Sequence, residues 1–126
     1  MKYEGTQLQE FEPREAVTEL ETIDLVVGTG DDVQPGATIT AHYTGALVNN
    51  GRIFQSSHDS GNAITFPLDG VIAGWTHGVP GMKIGGMRRL IIPAEMAYGA
   101  SSPAPNIPAN SDLVFDIELV AIPKNG

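Results

Sequence analysis

At 126 residues with 41% hydrophobic content, the chain is long enough to bury one core and too short for two cores of ordinary size. It has no cysteine, which excludes a disulfide framework, a thiolate metal site and a cysteine nucleophile. Fifteen acidic against seven basic residues give a formal charge of −8, the wrong sign for phosphate polymers, so no nucleic-acid partner is expected.

Residues 1–18 are polar and acid-rich without a sustained apolar period, and read as a flexible leader that adds at most one edge strand. Residues 19–126 read as one domain. No run approaches the ~20 apolar residues of a membrane span, and Met1-Lys2-Tyr3-Glu4 is not an apolar export segment. A cytoplasmic protein without a membrane partner is the expectation, with a domain cut from an exported precursor as the alternative.

Ile23, Leu25 and Val27 alternate with Thr22, Asp24 and Val26, which predicts a half-buried strand ending at Gly28-Thr29-Gly30. That glycine pair lacks the third glycine and following helix of a dinucleotide loop and is read as a turn. After Pro35-Gly36, Ile39, Ala41 and Tyr43 share one face of a second strand, with Tyr43 turned to the core. Asn50-Gly51 predicts a two-residue hairpin that pairs Ala41 to Val48 with Arg52 to Ser56 and brings Phe54 onto the return strand.

Ile64, Phe66 and Leu68 alternate through Pro67, a residue that marks an edge or a bulge. Past Asp69-Gly70, the spacing of Val71, Ile72, Trp75 and Val79 predicts one short helix, stopped by Pro80-Gly81. Met87 to Ile92 reads as a strand that Pro93 ends, and a short turn holds Glu95 to Tyr98. Gly99 to Pro108 contains Pro103, Pro105 and Pro108, a stiff loop able to roof a cleft. Leu113, Phe115, Ile117 and Leu119 then alternate as the clearest strand in the chain. Five or six strands with one helix and no βαβ order define an α+β fold, an antiparallel sheet curled over that helix.

Three constellations carry no chemistry. Ser56-Ser57-His58-Asp59 has the letters of a hydrolase triad, but adjacent residues cannot converge as nucleophile, base and orienter. His42, His58 and His77 lack metal-ligand spacing and read as three solvated histidines, so neither a metal nor a cofactor is expected. Arg88 and Arg89 fall on opposite faces of a strand and make no basic patch, one of them pairing with Asp116 or Glu118.

What remains is an aromatic set. Tyr43, Phe54, Phe66, Trp75, Tyr98 and Phe115 come from different elements and are expected to face one side. By pattern alone, these rings either fill the core or wall a concave apolar site.

The ordered series His42-Tyr43-Thr44-Gly45, Phe54 with Ser56-Ser57, Val71-Ile72 then Gly74-Trp75, Gly78-Val79, Gly81-Met82, Ile92-Pro93, Ala97-Tyr98-Gly99, Ile107-Pro108 and Leu113-Val114-Phe115-Asp116 with Glu118-Leu119 resembles the FKBP-type peptidyl-prolyl isomerases. The likeness runs from about Glu21 to Val120. It implies a half-barrel sheet around the Trp75 helix and a substrate proline seated on Trp75 between Tyr43, Phe54, Phe66 and Phe115. It also implies that Ile64, Val71 and Ile72 line the site, that the Ile72 N–H and the Tyr98 hydroxyl donate to substrate carbonyls, and that Ile107 covers it. The implied partners are proline-containing peptides, unfolded or nascent polypeptides, and macrolides of the rapamycin class. A monomer is the expectation, since no sequence feature points to an oligomer.

Two positions depart from the family's pattern. Gln55 stands where relatives commonly place an aspartate, and Ile64 where they often place an aromatic residue. The resemblance therefore implies a prolyl isomerase, with a weakly active or inactive proline-peptide-binding module as the alternative.

Overall fold

The computed structural model describes residues 6–8, 11–15, 17–102 and 107–123. Six strands form one antiparallel sheet: β1 (Glu21–Val26), β2 (Thr38–Leu47), β3 (Ile53–Ser56), β4 (Ile64–Pro67), β5 (Met87–Ile92) and β6 (Leu113–Ala121). The strand order is β1-β5-β6-β2-β3, and β4 pairs with the first residues of β2, so β2 meets β4 and β3 in turn along one edge. The one α-helix among the described residues, α1 (Ala73–Gly78), lies between β4 and β5 in the chain. This is the α+β architecture expected from the alternation, an antiparallel sheet with one short helix, and the resemblance implies its half-barrel form.

β2 and β6 run side by side from Thr40 and Ala121 to Leu47 and Leu113. Because alternate residues of a strand share a face, the inward set of Ile39, Ala41, Leu90, Ile92, Leu113, Ile117 and Leu119 is almost wholly buried. The helix settles directly on β5: a Cβ on Gly74 would lie 2.5 Å from Ile92 Cδ1, and one on Gly78 would lie 2.9 Å from Leu90 Cδ2. Only glycine at both positions permits that approach.

The helix is shorter than its apolar spacing predicts. Val71 and Ile72 are extended, and the Ile72 carbonyl accepts the first bonds of the helix from the N–H groups of Trp75 and Thr76. The Thr76 hydroxyl donates to the Leu68 carbonyl at 2.6 Å, which ties the helix to the chain leaving β4. At the other end Arg88 donates to the carbonyls of Gly78 and Pro80 while pairing with Asp24 at 2.6 Å, so a cation meets the helix C-terminus. Arg89, on the opposite face, holds Asp116 through two bonds of 2.7 and 2.9 Å, one of the two partners expected from its position.

Residues 1–18 are expected to form a flexible leader that adds at most one edge strand; of the described ones, Thr6, Leu8 and Arg14 bond to the sheet, Ile53 N–H donating to Thr6, Leu8 N–H to Gly51, and Arg14 N–H to Val48. Leu8 and Val17 are buried with Ala46, Val48, Ile53, Ile91 and Val114 on the convex face. That face is apolar at one end and needs a cover, but Leu8, Phe11 and Val17 are too sparse to show a period in the sequence.

Two further expectations are corrected. The Asn50-Gly51 hairpin is wider than a two-residue turn. Ala46 pairs with Ile53, Leu47 N–H donates to the Arg52 carbonyl, and only Gly51 has positive φ, at 71°. The Asn50 side chain accepts from Arg52 N–H instead, and the described N-terminal residues bond to Gly51 from outside.

The first strand is not half-buried. Ile23, Leu25 and Val26 are 43–52% exposed, because β1 is the edge strand and pairs on one side only, with β5. Pro103 and Pro105 of the expected stiff loop lie outside the described residues.

Candidate functional site

The floor is Trp75, 5% exposed and placed by α1 against the concave face. Three rings stand around it: Tyr43 from β2 at 5.4 Å and 78°, Phe115 from β6 at 5.2 Å and 84°, and Phe66 from β4 at 4.9 Å and 56°. Phe54 from β3 meets Phe115 edge-on at 5.7 Å. Rings prefer such tilted contacts over flush stacking because their faces are negative and their edges positive. The indole N–H of Trp75 is buried and has no acceptor among the described residues, so the ring serves by its shape and apolar face.

These rings do not close on one another. They surround a hollow of about 490 Å³, lined also by Gln55, Ile64, Gly70, Val71, Ile72 and Tyr98. That volume is within the range of small-ligand sites, ~300–1,000 Å³. Of the two readings left open by the sequence, core or cavity, the structure has both: Phe54, Trp75 and Phe115 belong to the core cluster and wall the cavity.

Ten of the residues expected at the site line this one hollow. Ile107 does not: it is 6% exposed and packed in the main core cluster. Gly70 lines the hollow and was missed, because the sequence marks it only as part of a turn.

Phe54 and Gln55 both line the hollow, which strict alternation forbids for neighbours in a strand. The cause is a β-bulge. Gly45 pairs with Gln55 while Ala46 pairs with Ile53, which leaves Phe54 as the extra residue and lets the buried Phe54 and the exposed Gln55 both reach the hollow. No residue in this stretch announces the bulge in advance.

Tyr43 sits at a seam, where β3 has left β2 and β4 has not yet joined it. The Ser57 hydroxyl takes the place of the missing strand: it accepts from Tyr43 N–H at 2.8 Å and reaches the Tyr43 carbonyl at 3.3 Å. The same oxygen lies 2.8 Å from His42 Nδ1, and His42 stacks on His58 at 4.3 Å, so these two histidines are not independently solvated as expected. Burial, and secondly the neighbouring Tyr98, push the Tyr43 phenol above its ordinary value of 10.

Among the described residues, no carboxylate, imidazole, ammonium or guanidinium lines the hollow. Among the described residues no group of three or more His, Cys, Asp or Glu could hold a metal ion, and no helix is long and apolar enough to cross a membrane. The arrangement can bind an apolar ring and offer a few polar contacts from the rim.

A half-barrel sheet with a short helix across its concave face and an aromatic-floored hollow between them defines a binding site for a compact apolar group. Residues 30–120 match the model of the FKBP-type peptidyl-prolyl cis-trans isomerases. A probable FK506-binding protein of Corynebacterium glutamicum is 44% identical over 98 residues, covering 78% of this chain and 82% of that one. The FKBP-type isomerase FkpA of Escherichia coli is 43% identical over 95 residues, 75% of this chain, which spans only 34% of FkpA. A crystal structure of a peptidyl-prolyl isomerase from Pseudomonas syringae superposes with a TM-score of 0.75 at 34% identity, covering 88% of this chain and 80% of that one. The chain belongs to the FKBP-type peptidyl-prolyl cis-trans isomerase family, whose members exchange the cis and trans forms of X-Pro bonds.

Proposed function

We propose that a proline residue seats its ring on Trp75, between Tyr43, Phe54, Phe66 and Phe115, while the bond preceding it rotates. Amide resonance sets a barrier of ~18–20 kcal/mol, so free exchange takes roughly tens to hundreds of seconds. When the bond is twisted, the nitrogen lone pair is uncoupled from the carbonyl and the amide loses its charge separation. A hollow walled by rings and lacking charge favours that less polar state over the planar one. A thousandfold acceleration requires ~4 kcal/mol of such preference, and nothing covalent is made or broken.

Two donors at the rim fit the carbonyls on either side of the proline. Ile72 is extended ahead of the first helical turn, and its N–H donates to no described residue. The Tyr98 side chain, 38% exposed, lines the same hollow, and its hydroxyl bonds to no described residue. Val71, Ile64 and Gln55 complete the rim, with the Gln55 amide standing where a charge is common in relatives.

The single observation that supports this reading is the uncharged 490 Å³ hollow above a buried indole. The substrates that fit are proline-containing peptides and the exposed X-Pro bonds of unfolded or nascent chains. Macrolides of the FK506 and rapamycin class would compete for the same floor. The test is a proline-switch peptide assay at micromolar protein with and without rapamycin. Acceleration abolished by the macrolide is expected; a rate equal to that of buffer would reject the proposal.

A further inference from the structure

The corner that presents Tyr98 is held from behind. It opens at Ala94, in the 3-10 turn Ala94–Met96, and the Ala94 carbonyl accepts from Ala97 N–H at 3.0 Å and Gly99 N–H at 2.8 Å. Tyr98 is thus enclosed in a loop closed upon Ala94. The Ala94 N–H in turn donates to Asp112 Oδ1 at 2.8 Å.

The other carboxylate oxygen of Asp112 is also used. Val17 N–H, from the segment that covers the convex face, donates to Oδ2 at 3.0 Å. The Asp112 main chain is fixed as well, since its carbonyl accepts from Val48 N–H at 3.0 Å just before β6 begins. One side chain therefore joins two segments 77 positions apart, Val17 and Ala94.

Packing holds one side of this corner, through Met96 and Ala97 against the main core cluster. On the other side lies a surface hollow of about 450 Å³, lined by Val17, Pro93, Ala94, Glu95, Asn110 and Asp112 among others. On that open side the corner is held by directional bonds, those to Asp112 and the one from Asn110 N–H to the Gly99 carbonyl at 2.7 Å. Charge-assisted bonds from two backbone N–H groups to one carboxylate are the stronger kind.

We propose that Asp112 is a positioning residue for the isomerase reaction, its carboxylate tying the Tyr98 corner to the docked N-terminal segment and so fixing the reach of the Tyr98 hydroxyl over the hollow. This rests on the reading of Tyr98 as a donor to substrate. The N-terminal segment, remote from the proline seat, then contributes to the site through Val17. An amide at position 112 cannot accept at both ends, so Asp112→Asn leaves one N–H facing another donor.

The test is a double-mutant cycle on the full chain, with kcat/KM measured by the proline-switch assay below the unfolding range. Asp112→Asn is expected to lower kcat/KM about five- to tenfold in the wild-type background and less than twofold beside Tyr98→Phe. An equal loss in both backgrounds would overturn the role of Asp112 while leaving Tyr98 as a donor. Wild-type activity in Tyr98→Phe would overturn both. Hydrogen exchange on the unmutated chain provides a check independent of any variant: the Ala94 and Val17 amides are expected to be protected together, and rapid exchange at Ala94 contradicts the proposal even if Asp112→Asn fails to fold.

Discussion

Against the concave face of the sheet stand Trp75, Tyr43, Phe54, Phe66 and Phe115, and against the convex face lie Leu8 and Val17, packed with Ala46, Val48, Ile53, Ile91 and Val114. Both surfaces bury apolar residues by the same strand alternation. Flat, stiff rings meeting at tilted angles brace one another around a hollow, whereas branched aliphatic chains interdigitate and fill their space. On the concave face the rings wall a hollow beside branched residues such as Ile39 and Leu90, whereas the convex cluster is aliphatic except for Phe11 at its margin.

The largest effect that would sharpen this contrast is expected at the floor. Trp75→Ala should cost about 3–5 kcal/mol of stability through loss of a buried aromatic residue, and should remove isomerase activity even where the protein stays folded. Circular dichroism must follow unfolding, because the only tryptophan is gone. Retained turnover in a folded Trp75→Ala protein would break the link between ring and function.

The matching substitution on the other face should separate the two properties. Ile91 is 5% exposed within the convex cluster, and Ile91→Ala is expected to cost about 2–4 kcal/mol while changing kcat/KM less than twofold at temperatures where the variant is native. A tenfold loss of activity there would mean that the faces are coupled more broadly than through Asp112.

Much of this division was legible in the residues. Leu113, Phe115, Ile117 and Leu119 announce a strand with one buried face; period places Tyr43, Phe66 and Phe115 toward the core, the hairpin signal brings in Phe54, and the resemblance gathers them around Trp75. What stayed hidden depends on register and on distant cover. The bulge at Phe54 brings the exposed Gln55 to the rim of the hollow by slipping one pair, and no local residue type dictates that slip. Leu8 and Val17 gain their burial from strands that follow them in the chain, so their own neighbourhood shows no pattern. Ile23 and Leu25 mislead for the opposite reason, since they alternate correctly on an edge that nothing described covers.

A smaller effect is expected at the rim. Gln55 offers an amide where a carboxylate is common in the family, so Gln55→Asp should raise kcat/KM several-fold if a charge beside the twisting bond limits turnover. An unchanged rate would remove the missing charge as a constraint. The wild-type site should also be insensitive to pH between about 6 and 9, because among the described residues no carboxylate or imidazole lines the hollow and Tyr43 ionises above its ordinary range. A bell-shaped profile in that window would show that a group outside the hollow takes part.

The smallest effect lies at the margin of the convex cover, where Arg14 pairs with Glu21 at 2.9 Å between side chains 40% and 36% exposed. The hydrogen bond from Arg14 holds the Glu21 carboxyl below its ordinary value of 4.5. A depressed carboxyl contributes stability that is complete above the unfolded value and lost as pH falls through the folded one. Glu21→Gln should therefore lower the thermal midpoint slightly at pH 7, in low salt, with the two proteins converging below about pH 4. Because the pair is open to solvent, 0.5 M salt should erase most of the difference. A gap that persists unchanged from pH 7 to pH 3 would mean that Glu21 clips the cover to the sheet by packing alone, and the convex face would then owe its closure entirely to its aliphatic fill.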